Sequence, residues 1–263
     1  MTRARSIAVA QTVPAPGDVE ANVAEHLRLV RAAAREGARV LVFPEMSLTG
    51  YELELARGLA FTRDDARLAP LAEAARACSL TLVVGAPVGI GSRLHVGAFI
   101  LSPDGAVNLY TKQRMGAFSE GASCDGVVPP PEASFFQPGG LNPLVRFGGN
   151  TAAVAVCADT GRPSHAEAAK ARGAEIYLAS MFVIPSEFER ETANLRECAA
   201  RHSMVVAFAN YGGPSGGLAS GGQSAVWSGR GELLVQLPQS GAGVAVAAEG
   251  ESGWRGKTIM LGG

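Results

Sequence analysis

The chain is poor in several residue types, and each shortage closes off a class of protein. Only three lysines stand against twenty arginines, the formal net charge is −1 and the pI is about 6.4. No basic run occurs, which argues against a nucleic-acid partner, since such surfaces need a basic stripe. No apolar stretch reaches the roughly 18 residues that span a bilayer. Ser6-Ile-Ala-Val-Ala-Gln11, directly after Met1-Thr-Arg-Ala-Arg, is too brief for a signal-peptide core and predicts a first strand, so a cytoplasmic setting is expected. Four cysteines, Cys78, Cys124, Cys157 and Cys198, are widely spaced and form no C-x-x-C pair. Free thiols are expected, not a disulfide framework. The four histidines, His26, His95, His165 and His202, have no ligand spacing, so no metal site is predicted.

What is abundant is apolar: 47% of the 263 residues are hydrophobic, enough to bury a large core. Asp18 can cap a helix carrying Val23, Leu27, Val30 and Ala34 at three- and four-residue spacing, with Gly37 as its stop. Arg39-Val-Leu-Val-Phe43 then reads as a strand ending at Pro44-Glu45. This β-α-β pattern predicts a mostly parallel sheet. A helix over 65–78 and a strand over 81–85 follow. Residues 93–101 and 106–111, around the turn Pro103-Asp-Gly105, predict a hairpin with Lys112 just past its end. Residues 113–140 show no clear periodicity, and a loop of that length in a compact domain is usually functional or mobile. The second half repeats the scheme: a strand over 151–156 ending at Cys157, a helix over 164–172, a strand over 175–179, a helix over 186–202 and a strand over 204–210. A glycine-rich loop over 212–222, a hairpin over 224–236 and a final strand over 244–248 complete it. No detailed internal repeat accompanies this likeness of the halves.

Glu45, Lys112 and Cys157 all fall at strand ends, where ligand sites of parallel sheets lie. Singly each has an ordinary reading: a small buried hydrophobe for Cys157, a loop carboxylate for Glu45, a surface lysine for Lys112. Together they form a chemical set. A thiol attacking an amide or nitrile carbon needs a base, which a carboxylate supplies. The developing oxyanion needs positive charge or N–H donors, which a lysine and a backbone amide supply. His165, eight residues after Cys157, is read as part of the next helix's first turn and not as a Cys–His pair. The glycine run lacks the Lys-Ser/Thr and helix of a phosphate loop.

Three motifs carry a resemblance. Phe43-Pro-Glu45-Met-Ser-Leu-Thr-Gly50-Tyr51, Tyr110-Thr-Lys112 and Ala155-Val-Cys157-Ala158-Asp159 resemble the glutamate, lysine and cysteine motifs of the nitrilase superfamily of carbon–nitrogen hydrolases. Glu132-Ala-Ser-Phe-Phe-Gln-Pro138-Gly139 resembles the stretch that brings a second glutamate. Residues 173–180 and 207–212 are similar to later landmarks. The resemblance implies a single 1–263 domain with an α-β-β-α sandwich that packs through its helices as a homodimer or higher homo-oligomer. It implies catalysis by Cys157 as nucleophile, Glu45 as base, Lys112 as oxyanion stabiliser and Glu132 as a fourth member. Ala158, Tyr51 and Met181 become candidates for oxyanion or substrate contacts. No cofactor is implied, and the partner is a small amide or carbamoyl compound. Two departures stand out: Arg114 occupies a place that commonly holds histidine, and Cys157-Ala158-Asp159 lacks the tryptophan and glutamate of true nitrilases. The expected branch is therefore amidase- or carbamoylase-like. Nitrile hydrolysis, acyl transfer, and a silent binding protein on the same fold are the alternatives.

Overall fold

The computed structural model describes residues 5–118 and 128–262. Cys124, in the stretch over 113–140 that shows no clear periodicity, lies outside the described residues. The chain builds two sheets. The first carries strands β1 (Ser6–Gln11), β2 (Val40–Val42), β3 (Thr81–Ile90), β4 (Arg93–Leu101) and β5 (Val107–Thr111). The second carries β6 (Leu144–Phe147), β7 (Asn150–Val156), β8 (Ile176–Ser180), β9 (Val205–Ala209), β10 (Ala225–Trp227) and β11 (Leu233–Gln236). Strands β12 (Gly243–Gly250) and β13 (Gly253–Met260) return to the first sheet, giving the order β13-β12-β1-β2-β3-β4-β5 beside β11-β10-β9-β8-β7-β6.

The expectation of a mostly parallel sheet is corrected by the strand pairing. Parallel ladders are confined to β1-β2-β3 and to β7-β8-β9, and every other pair is antiparallel. Helices join only those central strands, whereas short turns reverse the chain between β3 and β4, β4 and β5, β6 and β7, β10 and β11, and β12 and β13, and the loop over 210–224 reverses it between β9 and β10. The strand over 244–248 is also not the last. Strand β13 pairs along the whole of β12, and its largely exposed Gly-Trp-Arg-Gly-Lys-Thr-Ile-Met sequence lacks the apolar alternation that marks a half-buried strand. Strand β6, pairing β7 through Leu144–Phe147, was likewise not anticipated.

Burial on both faces explains the layers. In β1, Ile7 and Val9 face the core between the sheets while Ala8 and Ala10 face a second apolar cluster with Leu29, Val30 and Ala33. Those last residues belong to α1 (Val19–Arg35), whose N-cap Asp18 accepts the Ala21 N–H at 3.0 Å. Its buried stripe includes Asn22 and His26, while Leu27 and Ala34 are only half-buried. A short α2 (Ala56–Leu59) and α3 (Ala69–Ala77) complete that face, α3 packing against α1. In β8, Ile176 and Leu178 turn inward while Tyr177 and Ala179 meet α4 (Pro163–Ala171) and α5 (Phe188–His202) through Ala169, Leu195 and Ala199. The result is the expected α-β-β-α sandwich. Among the described residues no helix is long and apolar enough to cross a membrane.

Candidate active site

Glu45 lies beyond β2 on a turn that both halves of the molecule hold. Ser180 Oγ donates to the Phe43 carbonyl at 2.8 Å, the Glu45 N–H donates to the Met181 carbonyl at 3.4 Å, and the buried Tyr211 hydroxyl donates to the Glu45 carbonyl. The turn lies so close against β3 that a Cβ on Gly85 would sit 2.4 Å from the Met46 nitrogen. Met46 itself adopts φ 52°, a left-handed conformation that is strained for a non-glycine residue.

Lys112 extends the β5 ladder by one residue, its N–H donating to the Val96 carbonyl at 2.9 Å. Its ammonium donates to Glu45 Oε1 at 2.6 Å and to Glu132 Oε1 at 2.7 Å, with all three side chains at most 1% exposed. Glu132, on a 3-10 turn over Glu132–Ser134, also accepts the Tyr51 hydroxyl at 2.8 Å and, through Oε2, the Gly116 N–H at 2.6 Å. Every oxygen of Glu132 is thus engaged. Glu45 Oε2 is the exception: it is buried and has no hydrogen-bond partner among the described residues.

Cys157 follows β7 at φ 43°, the second strained residue of the site, and opens a 3-10 turn over Cys157–Asp159. Thr160 closes that turn, its N–H and hydroxyl both donating to the Cys157 carbonyl at 2.9 and 2.8 Å. The thiol points to the Phe182 carbonyl at 3.8 Å. Cys157, Glu132, Tyr51 and Ala158 line one pocket of about 530 Å³ together with Met181 and Phe182. The structure therefore brings together all seven residues singled out in the sequence. Tyr51 and Met181 do more than line the pocket: Tyr51 holds Glu132, and the Met181 carbonyl holds Glu45.

The charges depend on one another. Burial pushes Glu45 up to about 7; Lys112 opposes the rise and Glu132 adds to it. Burial works against the Lys112 ammonium, but the two carboxylates outweigh it and hold its pKa above that of ordinary lysine. Burial, followed by the Glu45 charge, raises the Cys157 thiol well above its usual value. The resting sulfur is thus a neutral thiol beside a carboxyl group that titrates near neutrality. That pairing suits proton transfer during attack, not a standing thiolate.

Several supporting side chains were marked in the sequence only as parts of motifs. Asn210 accepts the Val183 N–H at 2.9 Å and donates to the Val183 carbonyl at 3.1 Å, which fixes the strand end beside Phe182. The glycine-rich loop is not a mere connector: Ser215 Oγ accepts the Tyr51 N–H at 2.8 Å. Their roles depend on contacts between distant segments, and no local pattern signals them. Among the described residues no cluster of three or more His, Cys, Asp and Glu could hold a metal ion.

A buried lysine between two glutamates beside a strand-end cysteine, on a double-sheet sandwich, defines a class that comparison with known proteins identifies. The carbon–nitrogen hydrolase family model matches residues 6–249, and the chain belongs to that family. It is 31% identical over 156 residues to an aliphatic nitrilase of Sinorhizobium fredii (strain HH103), covering 49% of this chain and 50% of that protein. It is 26% identical over 234 residues to the glutamine-dependent NAD(+) synthetase of Thermotoga maritima, covering 87% of this chain and 39% of that one. The chain thus spans half or less of the length of these curated relatives. Among solved structures, an amidase from Nesterenkonia sp. AN1 carrying the acetamide moiety of fluoroacetamide on its active-site cysteine superposes with a TM-score of 0.81 at 26% identity, covering 93% of this chain and 89% of that one. The same amidase in complex with butyramide gives 0.80 at 26%, covering 93% and 90%. The fold is that of the nitrilase-superfamily amidases.

Proposed function

We propose that this chain hydrolyses small carboxamides through a thioester on Cys157. The observation that carries the reading is the Lys112 ammonium, held 2.6 and 2.7 Å from two buried carboxylates at the pocket that Cys157 lines. Glu45 takes the thiol proton as sulfur bonds to the carbonyl carbon. Lys112 and the Ala158 N–H stabilise the oxyanion. The carbon–nitrogen bond then breaks, Glu45 returns the proton to the departing ammonia, and the acyl group stays on sulfur. Glu45 next draws a proton from water, which attacks the thioester and frees the acid. Glu132 keeps Lys112 charged and aimed. Losing one oxyanion donor typically costs about 10²–10³ in rate, and Lys112→Ala should lose at least that.

The pocket supports an acyl group with an apolar portion. Tyr51, Phe118 and Phe182 form an aromatic wall with ring centroids 5.1–5.7 Å apart, and the exposed Arg114, Arg190 and Asn194 also line the pocket. Acetamide- and butyramide-derived ligands in the Nesterenkonia amidase fit the same class. The glutamine-dependent relatives add a primary carboxamide side chain to the candidates. A second reading, nitrile hydrolysis by the same residues, is favoured by the nitrilase relative. The same proposal includes a homodimer packed through the helical layers, checked by sedimentation, and a cytoplasmic setting.

The test is ammonia release from acetamide, butyramide, glutamine, carbamoyl compounds and aliphatic nitriles by wild type and Cys157→Ala. Wild type should act on at least one carboxamide and the variant on none. A variant that kept the wild-type rate would remove Cys157 from the mechanism. Turnover of nitriles alone would select the second reading, product that appears only with an added amine would indicate acyl transfer, and inertness throughout would leave a binding protein.

A further inference from the structure

The mechanism requires the nucleophile and the oxyanion lysine to address one carbon atom, yet they come from different sheets. Cys157 ends β7 in the second sheet and Lys112 ends β5 in the first. One side chain ties these two ends together directly. Asp159, only 1% exposed, accepts the Gln113 and Arg114 N–H groups on Oδ1 at 3.1 and 2.8 Å, immediately after Lys112. On Oδ2 it accepts the Val156 N–H at 3.3 Å, immediately before Cys157, and the Tyr110 hydroxyl at 2.7 Å, two residues before Lys112. A single carboxylate therefore brackets both reacting residues.

A buried chain of hydrogen bonds backs it. The Tyr110 hydroxyl spends its proton on Asp159, so His165 Nε2, 3.0 Å away, must donate to the Tyr110 oxygen. His165 Nδ1 then accepts from the Tyr177 hydroxyl at 2.8 Å. This fixes a neutral, Nε2-protonated imidazole, and burial, which lowers its pKa, favours that form. The chain runs one way, with every proton pointing toward Asp159. His165, dismissed as a partner for Cys157 in the sequence, is instead a distant support of the same site. The Cys157 elbow also needs such support, because a non-glycine residue at positive φ persists only where its surroundings hold it.

We propose that Asp159 is a positioning residue that holds the Cys157 elbow and the Lys112 loop in register across the two sheets, with Tyr110 and His165 orienting its carboxylate. The inference rests on the reading of Cys157 and Lys112 given above. It implies that the charge matters, because four donors converge on two oxygens. An amide in place of the carboxylate turns one acceptor into a donor facing either the Gln113 and Arg114 amides or the Val156 amide and Tyr110.

The experiment compares wild type, Asp159→Asn and Tyr110→Phe. Two quantities are read: alkylation of Cys157 by iodoacetamide, mapped by mass spectrometry, and kcat and KM for ammonia release from butyramide. Thermal unfolding is followed alongside. Misplacement of reacting groups by about 1 Å costs about 100-fold, so Asp159→Asn should lower kcat by about that factor, leave KM within about threefold and slow Cys157 alkylation at least about tenfold. Tyr110→Phe keeps the three backbone bonds to Asp159, and should lower kcat and the alkylation rate by about three- to tenfold. A variant that melts earlier yet keeps its kcat and alkylation rate within about twofold would overturn the proposal, since a merely structural residue behaves so. If Asp159→Asn does not fold, Tyr110→Phe decides by the same criterion. A wild-type Cys157 that resists iodoacetamide, in a protein that releases no ammonia from any of the carboxamides named above, would sink the nucleophile assignment itself, and the positioning role with it.

Discussion

Replacing Glu132 by glutamine tests the electrostatic account of the site most directly. The Glu132 and Glu45 oxygens lie 2.7 and 2.6 Å from the same Lys112 nitrogen, which puts them about 4–5 Å apart. At an effective dielectric constant of about 20, two like charges at that distance repel by about 3–4 kcal/mol. That corresponds to about 2–3 pKa units. Burial is the largest cause of the rise that takes Glu45 to about 7, with Glu132 adding to it against Lys112. Glu132→Gln removes the addition and should bring Glu45 down by about 2–3 units. In the proposed mechanism Glu45 must be ionised to accept the thiol proton, so activity rises with pH through its pKa. The acidic limb of kcat/KM should therefore move from near pH 7 to about pH 4–5. The limb reports the coupled Glu45–Cys157 pair, and both members shift the same way when the negative charge is removed. The plateau should fall as well, because glutamine has a single accepting oxygen: with it turned to Lys112 and Tyr51 the NH2 faces the Gly116 N–H that Oε2 accepts at 2.6 Å, and turned the other way the NH2 faces the Lys112 ammonium. Leaving such a buried donor unpaired costs about 1–3 kcal/mol. The assay is initial ammonia release from butyramide between about pH 4.5 and 9. An acidic limb that stays in place, or moves upward, would refute the assignment of Glu132 as a charge acting on Glu45.

Two further substitutions probe the frame. Gly85→Ala puts a Cβ 2.4 Å from the Met46 nitrogen and 2.6 Å from the Pro44 carbonyl oxygen. Both are backbone atoms, so the Glu45 turn must move; a stability loss of about 1–3 kcal/mol by urea titration should accompany a larger fractional loss of kcat, and an unchanged kcat would show that the turn tolerates the shift. His26 stacks on Phe43 at 4.1 Å and binds the Asn22 carbonyl and Ser47 through its two nitrogens, and burial lowers its pKa to about 4 against a bond to Asn22 that raises it. A base with a depressed folded-state pKa gives stability that is present above about pH 6.5 and lost as pH falls to about 4, worth roughly 3 kcal/mol. Glu45, raised from 4.5 to about 7, acts in the opposite direction over nearly the same range, so the wild-type curve partly conceals both. His26→Gln separates them: its destabilisation relative to wild type should shrink as pH falls from about 7 to 4.5, and a difference independent of pH would contradict a buried neutral His26.

The sequence made much of this site readable because its chemistry is carried by short segments at strand ends. Glu45, Lys112 and Cys157 each sit where a run of β-forming residues stops, and the residues around each are locally constrained. Glu132 was found by resemblance, in a stretch without periodicity. Its role as an acceptor from three donors, Lys112, Tyr51 and Gly116, came only with the structure. His165 was placed correctly in the first turn of a helix, but its partners Tyr110 and Tyr177 lie 55 and 12 residues away in the chain. Strand β13 escaped because an exposed edge strand does not need the apolar period that reveals its neighbours. The parallel character of the sheets was overestimated because a β-α-β pattern reports only the pair it connects. The insertion of β12 beside β1 joins residues more than 230 positions apart, Ser6 opposite Ala248.

By itself, the sequence determined the order of the central strands and helices and the kind of chemistry the side chains of Cys157, Glu45 and Lys112 suit. Those properties follow from side-chain type and local period, which do not depend on distant partners. The tertiary structure alone decided that the three residues meet, and that burial and mutual charge bring Glu45 to about 7 while leaving Cys157 a neutral thiol. It also decided that Asp159 spans the gap between the two sheets. Desolvation, Coulomb coupling and convergent hydrogen bonds act through space, so they exist only once the two halves have packed.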